Sequence, residues 1–466
     1  MRLLIGLFFL GLCSSVVLAQ SEPSLPEGLF PASPSQLAEP KLPSGFSLPD
    51  LKGQSGLSQS SEQHSNWGEL KGFAEMRSGW RSRDPIDQDR GAVREARLQL
   101  DWSIALGDVE AHLVTDLLYD DLASTQANDI ESGQGWLDLR EASLLLRPLP
   151  STDVNLGRQV LTWGTGDLLF INDLFPKDWK SFFIGRDETY LKAPSDALKV
   201  SFFTQWLNID MVYTPRFDSD RYIDGERLSY FNPLLGGLVG THNRLTVTSR
   251  GEWISEDELA LRLHRLINSA EIALYGYRGY WKLPLGIKLD SGKGYFPELD
   301  VWGASLRAPF LAGIGSVEFG YYDSKESDSG KNAAVRNSEW RFMAGYEREL
   351  IKNLTAGLQF YLEQMDDYSA YLMNLIPGSV VRDERRRVIT LRLTQLLMNQ
   401  NLTLSFFGFY GETDDDYHVR IKANYRVSDN WMVEAGGNEF QGEEVSSFFG
   451  QFESNANLYL GIRYSF

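Results

Sequence analysis

Leu354-Thr355-Ala356-Gly357-Leu358-Gln359-Phe360-Tyr361-Leu362 carries an apolar residue at every even position. Successive side chains of a β-strand point to opposite faces, so this stretch reads as a strand with one apolar face and one mixed face. The same period recurs in both directions. Val419, Ile421, Ala423, Tyr425 and Val427 alternate with His418, Arg420, Lys422, Asn424 and Arg426. Ala96, Leu98, Leu100, Trp102 and Ile104 alternate with Glu95, Arg97, Gln99, Asp101 and Ser103. A soluble sandwich has the same alternation. Segment length and segment number separate the two.

About eighteen such segments follow one another from Trp67 to Phe466, with sixteen as the alternative because the first, fourth and ninth alternate least cleanly. Most are longer than the usual five or six residues of a soluble strand and match a tilted membrane strand. Their connections alternate between long and short. Stretches near 81–90, 121–134, 164–196, 217–256, 280–297, 324–337, 365–384, 412–416 and 441–455, mostly long and polar, alternate with tight turns, among them Gly107, Asn268 and Leu311 to Gly313. The expected fold is all-β: a single transmembrane antiparallel barrel with short periplasmic turns and long extracellular loops. Leu458, Leu460, Ile462, Tyr464 and Phe466 form a last apolar face. Tyr464 and Phe466 read as the signal recognised by the barrel assembly machinery.

The rest of the chain fits that frame. Met1-Arg2, the apolar run from Leu3 to Leu12 and Val17-Leu18-Ala19 read as a signal peptide over 1–19, too short for the roughly 20 residues of a spanning helix. Cys13, the only cysteine, lies inside it, so neither disulfides nor thiolate metal sites are expected in the mature chain. Residues 20–66 are rich in Pro and Ser and read as a disordered periplasmic segment, a tether or a docking arm for a periplasmic partner. The barrel then occupies 67–466 of a Gram-negative outer membrane, among lipid and lipopolysaccharide, with a homotrimer as one possible assembly. A net charge of −18 argues against nucleic acid.

A barrel this wide encloses an aqueous lumen, and its inward face carries the chemistry. Alternation places Arg97, Asp101, Arg392, Arg420, Lys422, Arg426 and Arg463 there, and Arg158 is counted with them. The basic group from Arg392 to Arg463 opposes an acidic group of Glu95, Asp101, Glu110 and Asp116, an arrangement that would set a transverse field across the pore. The connection 164–196 is too apolar for a loop washed by water: Leu168-Leu169-Phe170-Ile171 is followed by Leu174-Phe175 and Ser181-Phe182-Phe183-Ile184. Such residues need burial, so the loop is expected to fold into the lumen or pack over the rim. In the lumen, Lys177, Lys180, Arg186 and Lys192, facing Asp167, Asp173 and Asp178, become constriction residues.

Gly157-Arg158-Gln159-Val160, then Thr162-Trp163-Gly164, Asn172-Asp173 and Pro176-Lys177-Asp178, resembles the Gly-Arg-Gln…Trp-Gly region of proteobacterial outer-membrane barrels distantly similar to the alginate-export and phosphate-selective porins. The resemblance covers about a sixth of the chain and implies a porin-like or export channel. No lysine ladder or densely arginine-lined strand set accompanies it, so no substrate is carried over. The expected function is a channel for a small or polymeric hydrophilic solute, the alternative a structural sleeve for a periplasmic partner. An enzyme is not expected. There is no Gly-X-Ser-X-Gly elbow, and only His242, in Thr241-His242-Asn243, lies in a long loop beside possible partners. No haem, zinc or nucleotide motif is present, so no cofactor is expected.

Overall fold

A computed structural model describes residues 68–466 apart from 125, 126 and 377. The expected signal peptide and Pro/Ser-rich segment lie outside the described residues. Eighteen strands form one sheet: β1 Glu69–Arg81, β2 Gly91–Leu106, β3 Val109–Asp120, β4 Leu137–Leu149, β5 Thr152–Val160, β6 Pro194–Phe203, β7 Asn208–Thr214, β8 Glu258–Ile267, β9 Ala270–Tyr280, β10 Glu298–Phe310, β11 Gly313–Ser324, β12 Glu339–Ile351, β13 Leu354–Met365, β14 Arg385–Leu397, β15 Leu402–Gly411, β16 Asp416–Arg426, β17 Trp431–Gly442 and β18 Asn457–Ser465. Each pairs antiparallel with its chain neighbours. β1 closes the sheet on β18, with Phe73 opposite Ser465 and Arg81 opposite Asn457. Closure is what lipid demands, because an open edge would leave N–H and C=O groups unpaired. Eighteen strands are therefore present, and not the alternative sixteen.

The outer face is apolar. Leu274, Trp302, Leu358, Ile421 and Leu460 stand exposed on it at mid-height, where lipid covers them. Aromatic residues gather at both rims, with Trp80, Tyr119 and Trp340 toward the long loops and Trp206, Phe310 and Trp431 toward the short turns, as in membrane barrels generally. Among the described residues no helix is long and apolar enough to cross a membrane. Phe466 pairs with Gly72 through both backbone bonds, 3.0 and 3.1 Å, and its ring lies 6.4 Å from that of Tyr464.

Several tight turns sit on non-glycine residues in the left-handed region, such as Asn268, Leu311 and Asn353, and the turn after β2 sits on Gly107 at φ +66. Register breaks occur where the strand period is interrupted. One lies between Val114 and Thr115, opposite which Arg140 is an extra residue in β4. Such a bulge reverses which side chains face inward. Asp138 and Arg140 face inward beyond it, while Glu141 faces inward before it.

Candidate functional site

The connection between β5 and β6, residues 161–193, runs through the barrel interior. Its legs zip together, Asp178 N–H to the Leu191 carbonyl at 2.6 Å and Ala193 N–H to the Pro176 carbonyl at 3.1 Å. Between them lies a short helix, α1 Trp179–Ile184. Asp178 caps its start by accepting from Ser181 N–H, and Gly185 ends it at φ +91 with the Tyr459 ring against its Cα. A side chain at Gly185 would need both a left-handed backbone and the space that ring fills.

The loop is tied to wall strands all round the barrel. On one side Glu318 of β11 accepts from Gly166 N–H at 3.0 Å, from Thr165 N–H, and from the Asn172 amide nitrogen at 3.0 Å. Arg392 of β14 pairs with Asp167 at 3.2 Å. On the other side Asn457 of β18 donates to the Phe183 carbonyl at 2.9 Å, Arg77 of β1 to the Gly185 carbonyl at 2.6 Å, and Arg420 of β16 to the Arg186 carbonyl at 2.7 Å. Arg186 is held by Glu95 of β2 at 2.9 Å, and Arg97 lies over the Tyr190 ring at 4.1 Å while pairing with Asp116. Behind α1, His418 is sandwiched by the rings of Phe440 at 4.5 Å and Phe409 at 5.8 Å. The consequence is a filled waist. Inward residues from strands around the circumference, Glu75, Arg97, Asp210, Glu318, Arg392 and Glu434, are all buried.

Charge is matched across each contact. Lys422 faces Glu188 at 3.5 Å, and Arg463 faces Glu75 at 2.7 Å and Asp187 at 3.7 Å. Burial alone would raise the carboxyls of Asp187 and Glu188, but Lys422 acting together with Arg463 on Asp187 and with Arg420 and Arg392 on Glu188 outweighs it and holds both below the usual range. Burial pushes Asp167 upward, with Arg392 opposing. The basic wall and the acidic wall therefore do not face each other over open water. The loop stands between them, presenting Asp167, Asp187 and Glu188 to the basic side and Arg186 to Glu95.

The remaining site residues divide. Lys177 is buried against Asp173 at 3.0 Å, Lys180 meets Asp224 at 3.1 Å, and Lys192 donates to the Thr162 hydroxyl at 2.7 Å. Asp101 lies below the waist in a cavity of about 290 Å³ with Glu110, His112 and Glu141, its carboxylate 2.9 Å from His112. Arg426 is exposed at the short-turn rim, apart from the others. Arg158 is a correction. It pairs in register beside the exposed, outward Leu156, so it points out of the barrel, where Asp196 at 2.9 Å and Glu131 at 3.0 Å cover it. His242 is a surface residue paired with Asp87.

Residues that alternation could not supply complete the site. Arg221, from the 215–257 loop, joins Asp138 at 2.8 Å to Asp178 at 3.4 Å. Arg336, from the 325–338 loop, shares Glu339 above the waist with Arg341, an inward residue of β12 that alternation does supply, at 2.8 Å each. The loops of Arg221 and Arg336 have no period to read, and only the basic residue type was visible. Asp218 sits in the same 215–257 loop, taking the Ser195 hydroxyl at 2.6 Å. Burial pushes its carboxyl up to about 7, Ser195 and Lys282 opposing and Glu258 assisting. A raised folded value means the folded loop holds the proton more tightly than the unfolded chain does. Its stabilising effect is complete below the ordinary carboxylate value of about 4 and is lost as pH rises through about 7. Amide-exchange protection of residues 215–221, corrected for intrinsic rates, should fall over that window. Asp218→Asn should flatten the fall, and an unchanged slope would refute the assignment.

No family model and no curated protein matches the chain. Solved structures do. OccD3 of Pseudomonas aeruginosa superposes with a TM-score of 0.51 at 10% identity, over 86% of this chain and 92% of that one. OccK3 of the same organism gives 0.50 at 12%, over 85% and 96%. OccAB4 of Acinetobacter baumannii gives 0.50 at 10%, over 86% and 99%. This chain is an outer-membrane β-barrel. The kinship with alginate-export and phosphate-selective porins expected from Gly157 to Gly164 is not supported. The residues that suggested it serve the wall: Gly157 adopts φ +119 with the Ala142 carbonyl where a Cβ would stand, Arg158 faces outward, and Gln159 donates to the Ala197 carbonyl at 3.0 Å.

Proposed function

We propose that this barrel is a channel for small hydrophilic solutes, and that residues 161–193 set what passes. The observation that carries the reading is the arrangement of space. An outer cavity of about 670 Å³ and an inner one of about 290 Å³ lie above and below a waist filled by one loop. That loop is held by ion pairs, by hydrogen bonds and by packing of Phe175, Phe182 and Phe183 on neighbouring aromatic rings, and it takes no part in the strand ladder of the wall. Contacts of this kind let a segment shift without unfolding the wall, which is held by its own ladder. A filled waist favours a small solute over a polymer.

The test is planar-bilayer conductance of the purified protein, compared with a form in which residues 168–184 are replaced by a short Gly/Ser link. The native protein should give small, selective steps, and the shortened form should conduct several-fold more. Silence from both forms would instead favour a structural barrel.

A further inference from the structure

The outer cavity has a lining unlike that of a water-filled channel mouth. Leu169, Phe170, Leu174 and Trp179 of the inward loop, Leu283 of the β9–β10 connection and Val381 of the β13–β14 connection all border it. None of the six is fully buried, and Val381 is 52% exposed. Phe170 and Trp179 stand edge to face at 5.9 Å. Three separate connections thus bring apolar side chains to one cavity inside the mouth, where water would otherwise wet them. An apolar patch left open in this way marks a site that something apolar covers.

The cations that border the same cavity are largely matched. Arg336 and Arg341 are held by Glu339, Arg386 by Asp414 at 3.0 Å, Lys177 by Asp173 at 3.0 Å and Lys282 by Glu258 at 2.7 Å. Arg382 is held differently, lying over the Tyr371 ring at 5.1 Å. An anion entering here would have to compete with carboxylates already seated on these cations, whereas an apolar body displaces only water. Asp383, Asp415, Glu443 and Glu444 also border the cavity, but all four are exposed to water, where an organic cation would gain little.

We propose that this cavity is a binding site for an uncharged aromatic or alicyclic small molecule, received against the outward surface of the inward loop. It deepens the channel reading by naming what the outer mouth selects. Binding is measured on the purified protein without conduction, so failure of the channel reading would not remove it.

The experiment is calorimetry of the full protein in lipid nanodiscs, with the heat of empty nanodiscs subtracted, using 2-naphthol and 2-naphthoate as probes at pH 7. 2-Naphthol should bind at least about tenfold more tightly than 2-naphthoate. Val381→Asp and Leu174→Asp should each weaken 2-naphthol about tenfold, the effect of losing one apolar contact face. Val381 lies in an exposed connection, so that variant folds even if Leu174→Asp does not. Binding of 2-naphthoate as tight as 2-naphthol, 2-naphthol heats no larger than in empty nanodiscs, or unchanged affinity in Val381→Asp would each overturn the proposal.

Discussion

Arg221→Ala is expected to cost the inward loop about 3–5 kcal/mol of local stability, because it leaves two buried carboxylates without their cation. Arg221, Asp138 and Asp178 are all nearly inaccessible to solvent, and the guanidinium spans them at 2.8 and 3.4 Å. The three groups come from the 215–257 loop, from β4 and from the cap of α1. Loss of one therefore loosens the join between two loops and the wall. Amide exchange of residues 177–187 should rise sharply in Arg221→Ala while the strands keep their protection. Adding Asp138→Asn should recover part of the loss, since one of the stranded charges is then gone. If the two substitutions instead add, the ion pair is not what holds the loop.

Glu318→Ala should free the opposite end of the same loop. Its carboxylate takes the backbone N–H groups of Thr165 and Gly166 and the side chain of Asn172; the Ala304 and Phe319 carbonyls reach only the Asn172 amide, at 3.4 and 3.3 Å. An unsatisfied buried donor costs about 1–3 kcal/mol, and water entering to satisfy them would itself open the waist. Conductance should move toward that of the form lacking 168–184, and trypsin should gain access to Lys177 and Lys180, both now buried or paired. Glu318→Gln keeps one acceptor oxygen and should restore part of the native behaviour. A Glu318→Ala protein with native conductance and native trypsin resistance would show that the loop is held elsewhere.

The two variants probe opposite sides of one element, and the ion pairs explain why both matter. Burying this many charges is costly, and each is tolerated only because its partner stands within hydrogen-bond distance. The loop thus has no comfortable place other than between these walls, unless water replaces the wall.

Sequence alone determined the barrel. Each strand has a period of two, and that period is local: Leu354 to Leu362 needs no distant residue to show which face meets lipid. The alternating stretches Ala96 to Ile104 and Leu354 to Leu362 fall inside the strands Gly91–Leu106 and Leu354–Met365, and the alternation of long loops with tight turns set the side on which each connection lies. Tertiary structure alone decided the pairing of charges. Asn457 meets Phe183 across a sequence separation of 274 residues, and no local pattern encodes such a meeting. It also decided facing wherever the period breaks, as at Arg140, where one extra residue turns Asp138 and Arg140 inward. At Arg158 the ladder is unbroken, and it is the pairing with neighbouring strands that sets the side chain outward. Periodicity reports which side of a strand is apolar. Only the closed wall, with a loop folded between its sides, settles which charges meet and which remain open to water.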